Sequence, residues 1–92
     1  MICSFKCKDT ENLFVSGKSK RFANIKDVAA RKLTLLQAAA TLDALMAPPG
    51  NRLEALAGDR KGQHSIRVND QWRVCFVWTD KGPSDVEIVD YH

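Results

Sequence analysis

The sequence has no apolar run approaching the roughly 18 residues of a membrane span, and its opening MICSFKCKDTEN places acids and bases where a secretory signal needs an unbroken apolar stretch. A soluble, cytoplasmic protein is the expectation. Cysteine is scarce and odd in number: Cys3, Cys7 and Cys75 show no C-x-x-C spacing, which argues against a disulfide framework. Cys3, Cys7, His64 and His92 are metal-ligand types without a standard spacing, so neither a metal nor another cofactor is expected. Length is short as well. The 92 residues leave no room for a second core, which would need roughly another 50–100, so residues 1–92 read as one domain and dinucleotide folds and solenoids are excluded. There are no repeats and no low-complexity segments.

Charge is present but nearly balanced, with 14 Lys and Arg against 11 Asp and Glu. Its distribution is uneven. Lys6, Lys8, Lys18, Lys20, Arg21, Lys26, Arg31 and Lys32 all fall in the first 32 residues, against three acids, and form a field attractive to phosphates or, equally, a solvated helix face.

Ile2 to Phe5 reads as a short strand, and Asp9 to Val15, with acids in its first turn and Gly17 after it, reads as a helix. Residues 17–22, GKSKRF, read as an exposed basic connection. From Asn24 the apolar positions Ile25, Val28, Ala29, Leu35, Leu36, Ala39, Leu42 and Leu45 recur at three and four, which predicts a helix capped by Asn24 and Asp27 and ended by Pro48-Pro49-Gly50. Beyond the prolines the period falls to two. Strands are predicted at Arg52 to Leu56, His64 to Val68, Trp72 to Trp78 and Val86 to Val89, joined by AGDRKG, Asn69-Asp70 and TDKGPSD. Links this short favour antiparallel neighbours, so the class is α+β, with helices on one face of a twisted, mainly antiparallel sheet.

Strand parity assigns faces. Trp72, Val74, Phe76 and Trp78, with Ile66, Val68 and His64, turn toward the helices, while Ser65, Arg67 and Arg73 share the opposite face and remain available to a ligand. That assigns both tryptophans to the core rather than to base stacking, and His64 to a partly buried or edge position. Asp85 and Glu87 read as solvated. The tail VEIVDYH brings Asp90, Tyr91 and His92 to the end of a strand in the same sheet as Arg73, within reach of the open face if the last residues curl across it.

The stretch LEALAGDRKGQHSIRVNDQWRVCF, the terminal DVEIVDYH and the opening MICSFKCKDTENLF together resemble the HigB toxins of the RelE/ParE superfamily, over nearly the whole chain. The resemblance implies a RelE-like fold and a toxin that cleaves messenger RNA on the ribosome. It also implies a HigA-type helix-turn-helix antitoxin as partner, and a toxin that is monomeric within a larger complex. ParE-type relatives share the fold and act on gyrase, so the alternative is a non-catalytic interaction toxin, or one that only binds its antitoxin.

Metal-free RNA cleavage needs a base for the 2′-hydroxyl proton, cations for the charge on phosphorus and an acid for the departing 5′ oxygen. Glu54 suits the base, Arg73 offers a planar fork of donors to phosphate, and His92, with an unperturbed pKa of about 6.5, suits the acid. Tyr91 and Asp90 position or supply protons. This trio matches the glutamate, arginine and histidine of YoeB-type relatives. Some HigB relatives instead carry His-Pro-Leu-Lys-Gly where this chain has Glu54-Ala55-Leu56-Ala57-Gly58, so carboxylate chemistry replaces imidazole and one cation is missing. Arg60, Lys61 and Arg67 are assigned to RNA phosphates, and the N-terminal bases to ribosomal RNA. Activity on free RNA is expected to be weak, because the ribosome supplies part of the orientation.

Overall fold

The computed structural model describes residues 1–90. Helix α1 (Lys8–Ser16) and helix α2 (Lys26–Ala38) pack on one face of a four-stranded antiparallel sheet. The strands β1 (Glu54–Ala55), β2 (His64–Arg67), β3 (Trp72–Thr79) and β4 (Gly82–Asp90) lie in the order β1-β2-β3-β4. This is the α+β arrangement expected, with the helices on one face of an antiparallel sheet. No helix among the described residues is long and apolar enough to cross a membrane.

Helix α1 stops where Gly17 takes a left-handed φ of 72° and returns its N–H to Leu13 O, the C-terminal device that glycine favours. On the buried side of α1, Thr10 accepts from the backbone N–H of Ile88 at 3.0 Å, fixing the helix to β4. Helix α2 differs from expectation at both ends. Asn24 makes no cap; the turn before α2 closes instead through Ile25 N–H to Phe22 O at 3.0 Å, and the helix begins at Lys26. The basic connection before it is not wholly exposed, because Phe22 is completely buried there. Its ring meets Trp72 edge-on at 5.6 Å between centroids, which is what pulls the chain into a turn at this point.

The predicted long helix also ends early. Ala39 is extended, and Thr41 then accepts from Ala44 N–H at 3.2 Å to start a separate 3-10 turn over Leu42–Met46. A Thr hydroxyl competing for backbone donors favours such a cap over helix continuation. The new turn still delivers Leu45 to the core. Within α2 the buried stripe is Ala29, Leu33 and Leu36, with Leu35 turned outward.

The β3–β4 hairpin is tighter than TDKGPSD suggests. Thr79 pairs with Gly82 across a two-residue turn, and β4 begins at Gly82. Pro83 is tolerated because its carbonyl, and so its missing N–H, points away from β3 to the outer edge, where it accepts from Cys3 N–H at 2.7 Å. The first residues of the chain run parallel to that edge. They make one bridge, Phe5 to Val86, rather than the strand expected at residues 2–5. Between the pairs Cys75–Glu87 and Val77–Ser84, β4 carries two residues against one on β3, and Asp85 takes a φ of 51°. This bulge breaks the regular edge that a longer strand would need.

Ile66, Val74, Phe76, Val86 and Ile88 fill the covered side of the sheet and are at most 1% exposed. Trp72 and Trp78 pack against them, as parity predicts. His64 faces the same way, half-buried and stacked near Phe76 at 6.3 Å.

Candidate active site

The side of the sheet without helices is organised by its register. Glu54 pairs with Ser65, Ser65 with Cys75 and Cys75 with Glu87, so these four form one row across all four strands. The next row holds Arg67, Arg73 and Val89. Directly opposed residues project to the same face, so Glu54 and Arg73, remote in sequence, share one surface.

Ser65 is what joins them. It lies beside Glu54 and is completely buried; its hydroxyl accepts from Arg73 Nε at 2.7 Å. The same guanidinium reaches past β2 to donate to Arg52 O at 2.7 Å, two residues before Glu54. Arg52 can present that carbonyl because it adopts a left-handed φ of 45° after the Pro49–Asn51 turn. Ser65 is therefore not a free ligand for a substrate, as its parity suggested. Its hydroxyl is occupied in setting the plane of Arg73.

Glu87 also departs from expectation. It is not simply solvated: its carboxylate accepts from Arg60 at 2.9 Å and lies 3.9 Å from the Lys6 ammonium, with its side chain 16% exposed. Arg60 makes a further bond to Gln63 at 3.2 Å. Beneath these groups Cys75 is fully buried, and its thiol pKa is pushed up mainly by that burial, with Arg60, Glu87, Arg73 and Lys6 as its charged surroundings. The open face thus presents cations at Lys6, Arg60, Arg67 and Arg73 around the Glu54 and Glu87 carboxylates. The signal for Glu87 was present in its alternation, which places it one row from Arg73. Ser65 was placed on this face by the same parity, though as a free ligand group rather than a partner of Arg73, and Lys6 carried no comparable mark.

The remaining sequence candidates divide. Glu54 is exposed on the short β1, where a carboxylate can meet a substrate. Lys61 lies exposed beyond the Gly58–Arg60 turn, and Arg67 is ion-paired with Asp70. Asp90 stands opposite Trp72, one register step from Arg73, but has the parity of Ile88; Gln71 donates to it at 3.0 Å. It ends β4 with its side chain on the alternation opposite to the open face. Tyr91 and His92 lie outside the described residues. The N-terminal bases do not form one field: Lys6 meets Glu87, Lys8 meets Glu11, Arg21 meets Asp9, and Lys32 donates to Asn51. Among the described residues no group of three His, Cys, Asp or Glu side chains gathers.

Comparison with known proteins agrees with this architecture. Toxin HigB-1 of Vibrio cholerae serotype O1 is 43% identical over 82 residues, covering 87% of this chain and 86% of that protein. An uncharacterized protein of Haemophilus influenzae is 40% identical over 60 residues, covering 65% of this chain and 59% of its own length. Among solved structures, the YoeB-YefM complex from Staphylococcus aureus contains a chain that matches with a TM-score of 0.62, covering 100% of this chain and 98% of that one; at 15% identity the likeness is one of fold. Residues 3–92 match the family described as the RelE-like toxin of type II toxin-antitoxin system HigB, and the chain belongs to that family.

Proposed function

We propose that this toxin is a ribosome-dependent endoribonuclease that cleaves translated messenger RNA by metal-independent acid-base chemistry. The observation that carries the reading is that Ser65 on the uncovered face is paired in register with Glu54 and hydrogen-bonded to Arg73. In this reading Glu54 takes the proton of a 2′-hydroxyl, and the oxygen then attacks the adjacent phosphorus. The guanidinium of Arg73, held in orientation by Ser65 and Arg52, receives charge from the phosphoryl oxygens. The bond from phosphorus to the 5′ oxygen breaks, leaving a 2′,3′-cyclic phosphate. His92 gives its proton to that departing oxygen, with Tyr91 orienting it; Asp90, whose side chain has the parity of Ile88, takes no direct part.

Arg60, Lys61 and Arg67 serve as phosphate contacts, which give affinity without sequence information. General acid-base catalysis contributes about 10²- to 10⁴-fold, and positioning by the ribosome adds to it. Membership of a type II toxin family gives the chain an antitoxin partner. We assign that partner to the HigA type, with a helix-turn-helix domain.

The test is induction of the wild type beside Glu54→Gln, Arg73→Ala and His92→Gln, with 5′ ends mapped on translated messages. New ends with the wild type, reduced at least about 100-fold in each variant, are the expected outcome. Equal growth arrest in all four without new ends overturns the nuclease and leaves an interaction toxin, such as one acting on gyrase.

A further inference from the structure

Asn51 is a polar side chain with no exposed surface, on a turn otherwise made of proline and glycine. A buried carboxamide destabilises the fold unless each of its ends finds a partner. Both ends do. Nδ2 donates to Leu45 O at 3.1 Å, and Oδ1 accepts from the Lys32 ammonium at 2.5 Å. The first bond ties the Pro49–Asn51 turn to the 3-10 turn before it, and the second straps it to α2, whose Lys32 stands 19 residues away in sequence. Lys32 is drawn partly out of water in reaching this acceptor: burial, then the neighbouring Arg31 and Arg67, hold its ammonium below its ordinary pKa.

The next residue, Arg52, carries this anchorage to the open face. At φ 45° and ψ 57° it is left-handed, a conformation that a residue other than glycine holds only where its surroundings impose it. Its N–H donates to Pro49 O at 3.3 Å, its carbonyl accepts from Arg73 Nη2 at 2.7 Å, and its side chain is exposed. Two residues on, β1 opens with Glu54. One turn therefore places both the acceptor for the guanidinium and the strand that carries the carboxylate, and that turn is held from the covered side of the sheet. The geometry points to Lys32 and Asn51 as positioning residues for Arg73: acting through the Arg52 carbonyl, they fix one Nη of its guanidinium from α2. Ser65 fixes Nε and Arg52 fixes Nη2, and two points set the plane of the fork. The effect on cleavage rests on the nuclease reading; the effect on the arginine itself does not.

The experiment uses nuclear magnetic resonance on the isotopically labelled full chain. In the wild type the Lys32 ammonium and the Asn51 carboxamide protons are protected from exchange with water, and rotation about the Arg73 Nε–Cζ bond is slow in the line shapes of its Nη resonances. Lys32→Met removes the donor and speeds that rotation at least about tenfold, while the amide spectrum stays that of a folded chain. With programmed ribosomes in excess, the same variant cleaves at least about tenfold more slowly, and its half-saturating ribosome concentration stays within about twofold of wild type. A second pair tests the same joint with Lys32 intact: Arg52→Gly, which accepts the left-handed angle, cleaves at least about tenfold faster than Arg52→Val, which does not. A Lys32 ammonium that exchanges as fast as an exposed lysine's overturns the strap without any variant, and so decides the matter even where Lys32→Met does not fold. Rotation within about twofold of wild type in folded Lys32→Met overturns it too, as do equal rates in the two Arg52 variants or slower cleavage explained wholly by weaker ribosome binding. Absence of cleavage by the wild type counts against the nuclease reading alone, because exchange and rotation still decide whether the arginine is held from α2.

Discussion

Arg73 donates from Nε to the buried hydroxyl of Ser65 at 2.7 Å, so the orientation of the one arginine proposed to meet the scissile phosphate is set by a side chain that no substrate touches. A guanidinium on a flexible stem otherwise samples many rotamers, and freezing it in advance removes that cost from the transition state. Ser65 is thus a positioning residue.

Ser65→Ala should lower the rate at which new 5′ ends appear by about tenfold while leaving ribosome binding near wild type. Arg73→Lys keeps the charge but loses the fork, and should lose about 10²-fold or more. Cleavage by Ser65→Ala at the wild-type rate would remove the positioning role. A parallel loss of ribosome binding would show that the hydroxyl serves the fold instead.

Gly82 meets the start of the chain at a distance only glycine allows. Its φ is 121°, and a Cβ built there would approach the carbonyl oxygen of Met1 to 2.3 Å. Both the backbone angle and the contact oppose any side chain. Gly82→Ala should cost more than about 1 kcal/mol and release the first residues from the edge of β4. Urea unfolding checks the first expectation, and faster amide exchange at Cys3 and Lys6 checks the second. An unchanged urea midpoint would refute the close approach.

The antitoxin-free architecture was legible in the sequence to the extent that periodicity determines it. Alternation in Trp72–Trp78 and His64–Val68 assigned both faces of the sheet correctly, because a one-residue slip would expose the whole apolar set. Side-chain competition at single residues was not legible. Thr41 divides a continuous apolar pattern into a helix and a 3-10 turn, and Phe22 is buried within a basic run, since tertiary packing overrides local polarity there. At the site, Glu54 and Arg73 were identified from sequence as chemical types, but the link between them was not. Ser65 connects β1 to β3 only through register, and its spacing from either partner is set by loops whose length carries no pairing code.

Cys75 links stability to pH. Burial raises its thiol pKa above the ordinary 9.0, so the folded chain retains a proton that the unfolded chain releases. The unfolded state then binds fewer protons, and stability falls as pH rises from about 9 toward the elevated folded value. Between pH 8 and pH 10 the wild type should lose more of its urea midpoint than Cys75→Ala does. The exposed Cys3 should react with an alkylating reagent under native conditions while Cys75 waits for unfolding. Equal midpoint shifts in the two proteins would show that the thiol is not coupled to folding.

Glu87 restrains two of the open-face cations, Arg60 at 2.9 Å and Lys6 at 3.9 Å. Glu87→Gln removes one negative charge from the RNA surface, so affinity for single-stranded RNA should rise and its salt dependence steepen. Lys61→Ala acts oppositely, reducing the slope of log K against log salt by about 0.7 for one lost phosphate contact. Titrations at four salt concentrations measure both. A slope unmoved by Lys61→Ala would take that residue off the RNA path, and weaker binding by Glu87→Gln would mean that the orientation of Arg60 outweighs the added charge.

Phe22 tests whether the connection between the helices is part of the core. Its ring is fully buried, lies edge-on to Trp72 at 5.6 Å, and carries the Arg21 guanidinium 5.1 Å above it, while Arg21 is in turn held by Asp9 at 3.3 Å. One aromatic ring therefore ties α1, the turn before α2, and β3 together. Phe22→Ala should cost about 3–5 kcal/mol through lost burial and the cavity left behind, a large share of the roughly 5–15 kcal/mol that holds a small domain folded. Arg21→Ala, which removes only an exposed ion pair and a cation–π contact, should cost no more than about 1 kcal/mol. Urea denaturation of both variants separates the two contributions; comparable small losses would mean that Phe22 is not anchoring the core and that the basic run is the exposed connection its composition suggests.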